Sequence, residues 1–220
     1  MSAFPGSPRV LKAGLVLLDP DSFALMPNGI ILMQYNPDQL SRSLKIKGIQ
    51  EGADRSEALR LTGPPTETIK LDAEIDATDQ LEFPRQNPNT VQYGISPQLA
   101  ALETMVYPTS QTLQNNYSLS QQGTLEIMPM LAPLSLFVWG PTRIMPVRLT
   151  EFSITEEAFD PELNPLRAKV SLSMNVLTID DLFFSDKGGS LYMAYLQQKE
   201  MLAQLYQGGT LGALGLRGLP

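Results

Sequence analysis

Two stretches of this chain alternate apolar and polar residues with a period of two, and that pattern constrains the fold more than any other feature. In "TIKLDAEIDA" (68–77), Ile69, Leu71, Ala73, Ile75 and Ala77 share one face, and Lys70, Asp72, Glu74 and Asp76 share the other. In "LRAKVSLSMNV" (166–176), Leu166, Ala168, Val170, Leu172, Met174 and Val176 face one way, and Arg167, Lys169, Ser171, Ser173 and Asn175 the other. Successive side chains on a strand point to opposite sides. Each stretch is therefore a long strand with one buried and one wet face, as an antiparallel sheet requires.

Further strands follow from weaker versions of the same signal. Ala13 to Leu18 is a short apolar run before Asp19-Pro20, and reads as a first strand. Residues 29–48, "GIILMQYNPDQLSRSLKIKG", read as two strands around a rigid corner at Tyr35-Asn36-Pro37. Ile30, Leu32 and Gln34 share a face before the corner; Leu44 and Ile46 share one after it, with Lys45 and Lys47 opposite. "LSLFVWG" (134–140) and residues 143–155 flank Gly140-Pro141 and read as a hairpin. In its second arm the apolar phase slips from Val147 and Leu149 to Phe152 and Ile154, which predicts a bulge near Thr150-Glu151. Pro146 points to an edge position or to that same irregularity. Asp160-Pro161 and Asn164-Pro165 form a turn into the last long strand.

Two helices are expected. "SPQLAALETMVY" (96–107) offers Ser96 as N-cap and Pro97 as first helical residue, with Leu99, Leu102 and Val106 on one stripe and Pro108 as terminator. Residues 190–207 form the second, ended by Gly208-Gly209, and their apolar residues cover most of the circumference. Residues 50–66 and 80–94 read as loops, and the uncharged stretch 109–124 as a mobile one. The tail "GGTLGALGLRGLP" (208–220) lacks periodicity; a disordered end is favoured over an apolar strap that orders on a neighbour. The organisation expected is a β-domain over 1–187, a helix over 188–207 and a Gly/Leu-rich tail over 208–220.

The residue inventory removes most chemistry. Among 220 residues there is no cysteine and no histidine, so thiolate sites, disulfides and Ser-His or Cys-His nucleophilic groupings are excluded. The adjacent pairs Glu156-Glu157 and Asp180-Asp181 diverge on a strand. The row Asp72, Glu74, Asp76 could hold a hard cation, but a solvated sheet face explains it more simply. Trp139 reads as strand-end packing, and Tyr192 and Tyr195 as helix packing. No enzymatic activity and no cofactor are expected. A net charge of −7 with no dense basic cluster argues against nucleic acid. No segment approaches the roughly 20 apolar residues a membrane helix needs. Direct membrane insertion is not expected; without a signal peptide, the chain is expected to be made and kept in the cytoplasm, or to leave it by a route other than a cleaved signal, released with a larger particle.

Taken together, "QYNPDQL" with "SLKIKG", "TIKLDAEIDATD", "ISPQLAALETMVYP" and "FVWGPTRIMPVRLTEFSITEEAFDPELNPLRAKVSLSM" resemble, in order and spacing, the tube-type proteins of phage-tail-like contractile injection systems. The resemblance spans roughly residues 10–180. It implies an antiparallel tube-type β-barrel or sandwich with one packed helix, completed into a large ring barrel by self-association, most simply a hexamer. Within the family the chain looks most like the baseplate adaptor that joins spike hub to inner tube and initiates tube assembly. Relatives of that type often carry a LysM module, and no LysM pattern occurs here. The implied partners are other copies of the chain, a spike hub protein, an inner-tube ring and other baseplate proteins, in a particle assembled in the cytoplasm.

The candidate ring or lumen residues are Lys70, Asp72, Glu74, Asp76, Arg167, Lys169, Ser171 and Ser173. Tyr35, Asn36 and Pro37 are the candidate strand corner. Leu191, Tyr192, Tyr195, Leu196, Met201, Leu202 and Leu205 are the candidate docking helix, so deleting 188–220 is expected to leave a folded barrel that docks poorly. A repeating inner-tube subunit is the alternative within the class. A monomeric β-barrel for a small apolar ligand is the alternative outside it.

Overall fold

The computed structural model describes residues 11–48, 59–121 and 132–218. Its centre is a single antiparallel sheet of β1 (Gly14–Leu18), β2 (Leu25–Leu32), β3 (Leu40–Lys45), β4 (Thr66–Asp76), β5 (Leu134–Val138), β6 (Ile144–Phe159) and β7 (Pro165–Val176). The strand order is β2-β1-β5-β6-β7-β4-β3. The two strands with the clean alternation are neighbours, paired without a break from Thr68↔Asn175 to Asp76↔Arg167. Their apolar faces coincide because that register sets Ile69 opposite Met174, Leu71 opposite Leu172 and Ile75 opposite Ala168. All six of these residues are buried.

β2 and β3 follow one another in sequence yet lie at opposite edges of the sheet. Six inter-strand gaps would separate the edges of a flat sheet by about 29 Å. The linker 33–39 could span about 26–29 Å only if fully extended, yet its second residue, Gln34, already bonds Asp76 of β4, next to the far edge. The sheet must therefore curl, and the corner at Tyr35-Asn36-Pro37 spans the mouth of the curl. Among the described residues the curl stays open, since β2 pairs only with β1 and β3 only with β4.

The slip in β6 is a bulge between Leu149 and Glu151. Thr150 is the extra residue, and its hydroxyl donates to the Ser173 carbonyl at 3.1 Å. Val147 and Leu149 before it, and Phe152 and Ile154 after it, all lie opposite core residues of β7. The bulge thus keeps apolar side chains inward along both halves. Pro146 corrects the edge expectation: it is buried in an interior strand, opposite Leu136 of β5. Its carbonyl accepts the Leu177 N–H at 2.9 Å, one rung past the end of β7, so the missing proline N–H falls where the β6–β7 ladder has already stopped.

The helices are α1 (Thr78–Leu81), α2 (Pro88–Tyr93), α3 (Ser96–Glu103), α4 (Ser110–Gln121) and α5 (Lys187–Gln204), with one 3-10 turn at Leu211–Leu214. Several expectations are corrected. Ile95, not Ser96, is the N-cap of α3, because Ser96 is already helical and caps nothing. Leu99 and Leu102 are buried, but Met105 takes the inward position expected of Val106, which is 46% exposed. The chain leaves regular helix at Thr104, so a continued helical stripe no longer applies. Residues 80–94 contain α1's last turn and α2, and residues 110–121 form α4, not a mobile loop. α4 buries none of its residues, so a pattern of core-facing positions was not there to be read. Of the predicted loops, residues 50–58 and 122–124 lie outside the described residues.

One core joins sheet and helices. Leu15, Ile69, Phe137, Met145, Val147, Val170 and Met174 form its floor; Ile95, Leu99, Leu102 and Met105 cover one part and Tyr192 and Tyr195 of α5 another. A smaller cluster of Leu18, Leu134 and Leu136 packs under Leu182 and Leu191. Trp139 packs with Phe137, ring centroids 5.9 Å apart.

Candidate functional site

The outer face of the sheet is built by register. Lys70, Asp72, Glu74 and Asp76 of β4 stand directly opposite Ser173, Ser171, Lys169 and Arg167 of β7. The structure therefore brings all eight candidate ring or lumen residues onto one continuous polar face, which β6 extends with Glu151, Ser153, Thr155 and Glu157. Arg167 reaches Asp76 at 2.9 Å and Glu74 at 3.7 Å, Lys169 reaches Glu157 at 3.1 Å, and the Ser171 hydroxyl donates to Asp72 at 2.6 Å. Hydrogen bonds from Thr78 and the Arg167 guanidinium hold the Asp76 carboxyl below the usual carboxylate range. Ser173 differs from the rest: the bulge covers it, and it is buried. The face is concave near Ser41, Lys70, Asp72, Glu151 and Ser171, enclosing about 510 Å³. Each acidic member of the row has a serine, threonine or arginine partner, and no cluster able to hold a metal ion occurs among the described residues.

The corner is an amide joint. Asn36 Oδ1 accepts the Ala13 N–H at 2.9 Å and its Nδ2 donates to the Leu11 carbonyl at 2.7 Å, copying the two hydrogen bonds of a strand partner. Gln34 does the same for Asp76, donating to its carbonyl at 2.7 Å and accepting its N–H at 2.9 Å. The Tyr35 hydroxyl donates to Asp79 at 3.0 Å. Consecutive residues thus tie the end of β2 to the start of β1 on one side and to the end of β4 on the other. Gln34 was legible only as a member of a strand face; its role depends on the curl.

The free edges carry exposed apolar residues. Ile30 and Leu32 on β2 are 55% and 61% exposed, while Leu44 on β3 and Ile46 just beyond it are 49% and 71% exposed. Gly14 on β1 allows close pairing with β2, because a Cβ there would sit 2.6 Å from the Ile31 carbonyl oxygen.

The candidate docking helix divides into two halves. Tyr192 and Tyr195 are buried in the chain's own core, Leu196 packs against that core and Leu191 against the smaller cluster. Met201, Leu202 and Leu205 are left exposed. Deletion from residue 188 would therefore uncover the core, which corrects the expectation that such a truncation leaves the barrel intact. Gly189 brings α5 close, since a Cβ there would lie 2.4 Å from the Phe183 carbonyl oxygen.

A buried carboxylate fastens this helix. Glu67 of β4 sits on the apolar phase with Ile69 and Leu71 and is 3% exposed. It accepts from Arg42 of β3 at 2.7 Å, from Lys199 of α5 at 2.8 Å and from the Tyr195 hydroxyl at 3.1 Å. Lys199 also lies 4.2 Å above the Tyr195 ring. Burial pushes the Glu67 carboxyl up, but Lys199 and Arg42 outweigh it and hold it below the ordinary glutamate value. Sequence reasoning missed Glu67, although a glutamate in phase with Ile69 and Leu71 was the available signal.

No helix among the described residues is long and apolar enough to cross a membrane. The sequence model of the contractile injection system tube protein family matches residues 11–181. No curated protein matches the chain. Among solved structures it is similar to a chain in the tail of an empty GTA particle computed with helical refinement and C6 symmetry. That likeness has 10% identity and a TM-score of 0.29, and covers 74% of this chain and 90% of that one. At that score it adds nothing to the assignment, which rests on the family match across all seven strands. Among the described residues the sheet is left open at both edges and carries a polar outer face, the family match spans every strand of it, and the chain belongs to the contractile injection system tube protein family, a structural component of such particles.

Proposed function

We propose that this chain forms one ring layer at the base of an injection-system tube, joining the spike hub to the inner tube and templating the first tube ring. The observation that carries this reading is the curled sheet with both edges unpaired among the described residues. An unpaired edge presents a row of free N–H and C=O groups and must be paired, covered or charged. Pairing β3 of one copy with β2 of the next would satisfy both edges in every subunit at once. Such head-to-tail contacts close into a ring when the rotation between copies divides a full turn. A hexamer is the ring proposed. Ring closure puts one face of every sheet toward a wide lumen, because barrel diameter grows with strand number.

In this reading the polar face of Lys70, Asp72, Glu74, Asp76, Arg167, Lys169 and Ser171 borders the channel or the outer wall of the ring. Residues 1–187 form the tube-type unit, 188–207 the helix that carries Met201, Leu202 and Leu205 to a neighbouring layer, and 208–220 the tail. The partners are further copies, the hub, the inner-tube ring and other baseplate proteins, and assembly takes place in the cytoplasm. The function is structural and has no reactive centre.

A repeating inner-tube subunit is the second reading, favoured by the family's own description as tube protein. Copy number separates the two. Particles released by gentle lysis are sedimented, and this chain is quantified against the sheath and tube proteins by mass spectrometry. One ring's worth of copies, located by electron microscopy at the spike end, supports the adaptor. Copies in proportion to tube length make the chain the repeating subunit. A chain found only at its 24.2 kDa monomer mass, in cells that make such particles, sinks both.

A further inference from the structure

A groove of about 700 Å³ lies between β2 and the helices α1 and α3, bordering the polar face at Glu74 and away from α5. Its apolar lining includes Ile30, Leu32, Phe83, Ala101, Leu102 and Val170. Side-chain amides of Gln80, Gln86, Asn87 and Gln98 also line it. Gln98 donates to Gln80 Oε1 at 3.2 Å, which fixes the orientation of its amide. Its own Oε1 is buried and has no partner among the described residues. Apolar walls with an unused buried acceptor suit an apolar peptide whose backbone N–H can reach that oxygen. Glu74 and Asp79 lie at the rim against one cation, Lys12, so the groove favours a positive charge.

The same chain carries a segment of that chemistry. Residues 205–218, "LYQGGTLGALGLRG", contain a single charged residue, Arg217. Every one of them is exposed, including Leu211, Leu214 and Leu216. The segment leaves α5 beyond Lys199, which is held at Glu67, whereas the groove lies against Ala73–Ile75 at the other end of β4. Eight residues of strand separate those ends, about 26 Å. The anchor that α5 makes before the arm, at Lys199, thus lies well away from the groove.

We propose that the groove receives the C-terminal arm of a second copy of this chain, with Leu211, Leu214 and Leu216 against the apolar floor, a backbone N–H on Gln98 Oε1, and Arg217 beside Asp79. The contact rests on the ring reading, since it needs a neighbouring copy, and it adds a strap between copies to the pairing of their edges.

The full chain serves for the test because it has no cysteine of its own. Two differently tagged copies, one with Leu214→Cys and one with Ala101→Cys, are co-expressed and oxidised; a disulfide forms only when Cα atoms come within about 7 Å. Leu211→Cys and Leu216→Cys are run in parallel, so that a shift in register still gives a product. The expected result is a covalent dimer carrying both tags. Its yield falls roughly two- to fivefold with Asp79→Arg and recovers when the arm carries Arg217→Asp, the range that an exposed ion pair supplies. Sedimentation of the same samples reads assembly. Rings without the mixed dimer overturn the strap and leave the ring reading standing. Monomers without it overturn both. A link formed inside one polypeptide when both cysteines share a chain, unchanged by excess unsubstituted protein, assigns the groove to the chain's own arm and overturns the second-copy occupant.

Discussion

Glu67 on β4 and Lys199 on α5 meet at 2.8 Å although 132 residues separate them in the chain. Arg42 completes the group from β3, so one carboxylate holds an edge strand and the C-terminal helix in a fixed relation. The position of α5 is therefore coupled to the strand through which neighbouring copies are proposed to pair.

Glu67→Gln keeps the side chain's shape and removes the charge that satisfies two cations. The expected loss is about 1–3 kcal/mol, that of a broken buried polar group, moderated because Lys199 and Arg42 retain access to water. Urea denaturation at neutral pH measures it. An unchanged midpoint would mean that the three groups do not act together.

Acid should loosen the same joint. Glu67 titrates below its ordinary value in the folded chain, so its contribution is fully present above about pH 4.3, the unfolded value. It is lost as pH falls through the lower folded value. The denaturation midpoint should drop across that acidic window in the unsubstituted chain. In Glu67→Gln the drop should be smaller, leaving the part due to Asp76, Asp19 and Asp160, which are also held low.

The amide joint predicts a local effect. Asn36→Ala removes two hydrogen bonds to the start of β1, a loss of about 1–2 kcal/mol, and should speed hydrogen exchange at the Ala13 amide. Gln34→Ala should do so at the Asp76 amide. Exchange that rises evenly over the whole sheet would instead mean global destabilisation.

The edges can be closed to partners without touching the core. Leu44→Lys with Ile46→Lys places charge beside a free edge, a common way of blocking strand pairing. Both positions are exposed, so stability should change by no more than about 0.5 kcal/mol per site. Ring or particle assembly, read by sedimentation, should fail. Normal assembly would remove β3 from the proposed contact.

Two truncations should separate the halves of the C-terminal region. Ending the chain after Gln204 removes only residues that are exposed where described, and should leave the denaturation midpoint in place while weakening assembly. Ending it after Lys187 also removes Tyr192 and Tyr195 from the core. Burial of large side chains is worth about 3–5 kcal/mol each on truncation, so that shorter chain should be unstable or unfolded.

The alternation in 68–77 and 166–176 determined by itself which side chains face inward, because the backbone of a strand leaves no other arrangement. The phase slip around Thr150 located the bulge for the same reason. Local chemistry also announced the Gly140-Pro141 turn, whereas α5 ends at Gln204, short of the stop expected at Gly208-Gly209. These features depend on residues no more than a few positions apart.

What lies far apart in the chain was decided only by tertiary structure. Nothing near Gln34 indicates that its amide will meet Asp76, and the alternation in β4 does not say that β7 will be its neighbour. α4 formed without burying a residue, so the core-facing pattern that reveals a helix was absent from its sequence. Leu191, Tyr192, Tyr195 and Leu196 resemble Met201, Leu202 and Leu205 in composition, yet the first four pack inward and the last three face water. The difference is position: the sheet ends near Glu67, and α5 continues past it.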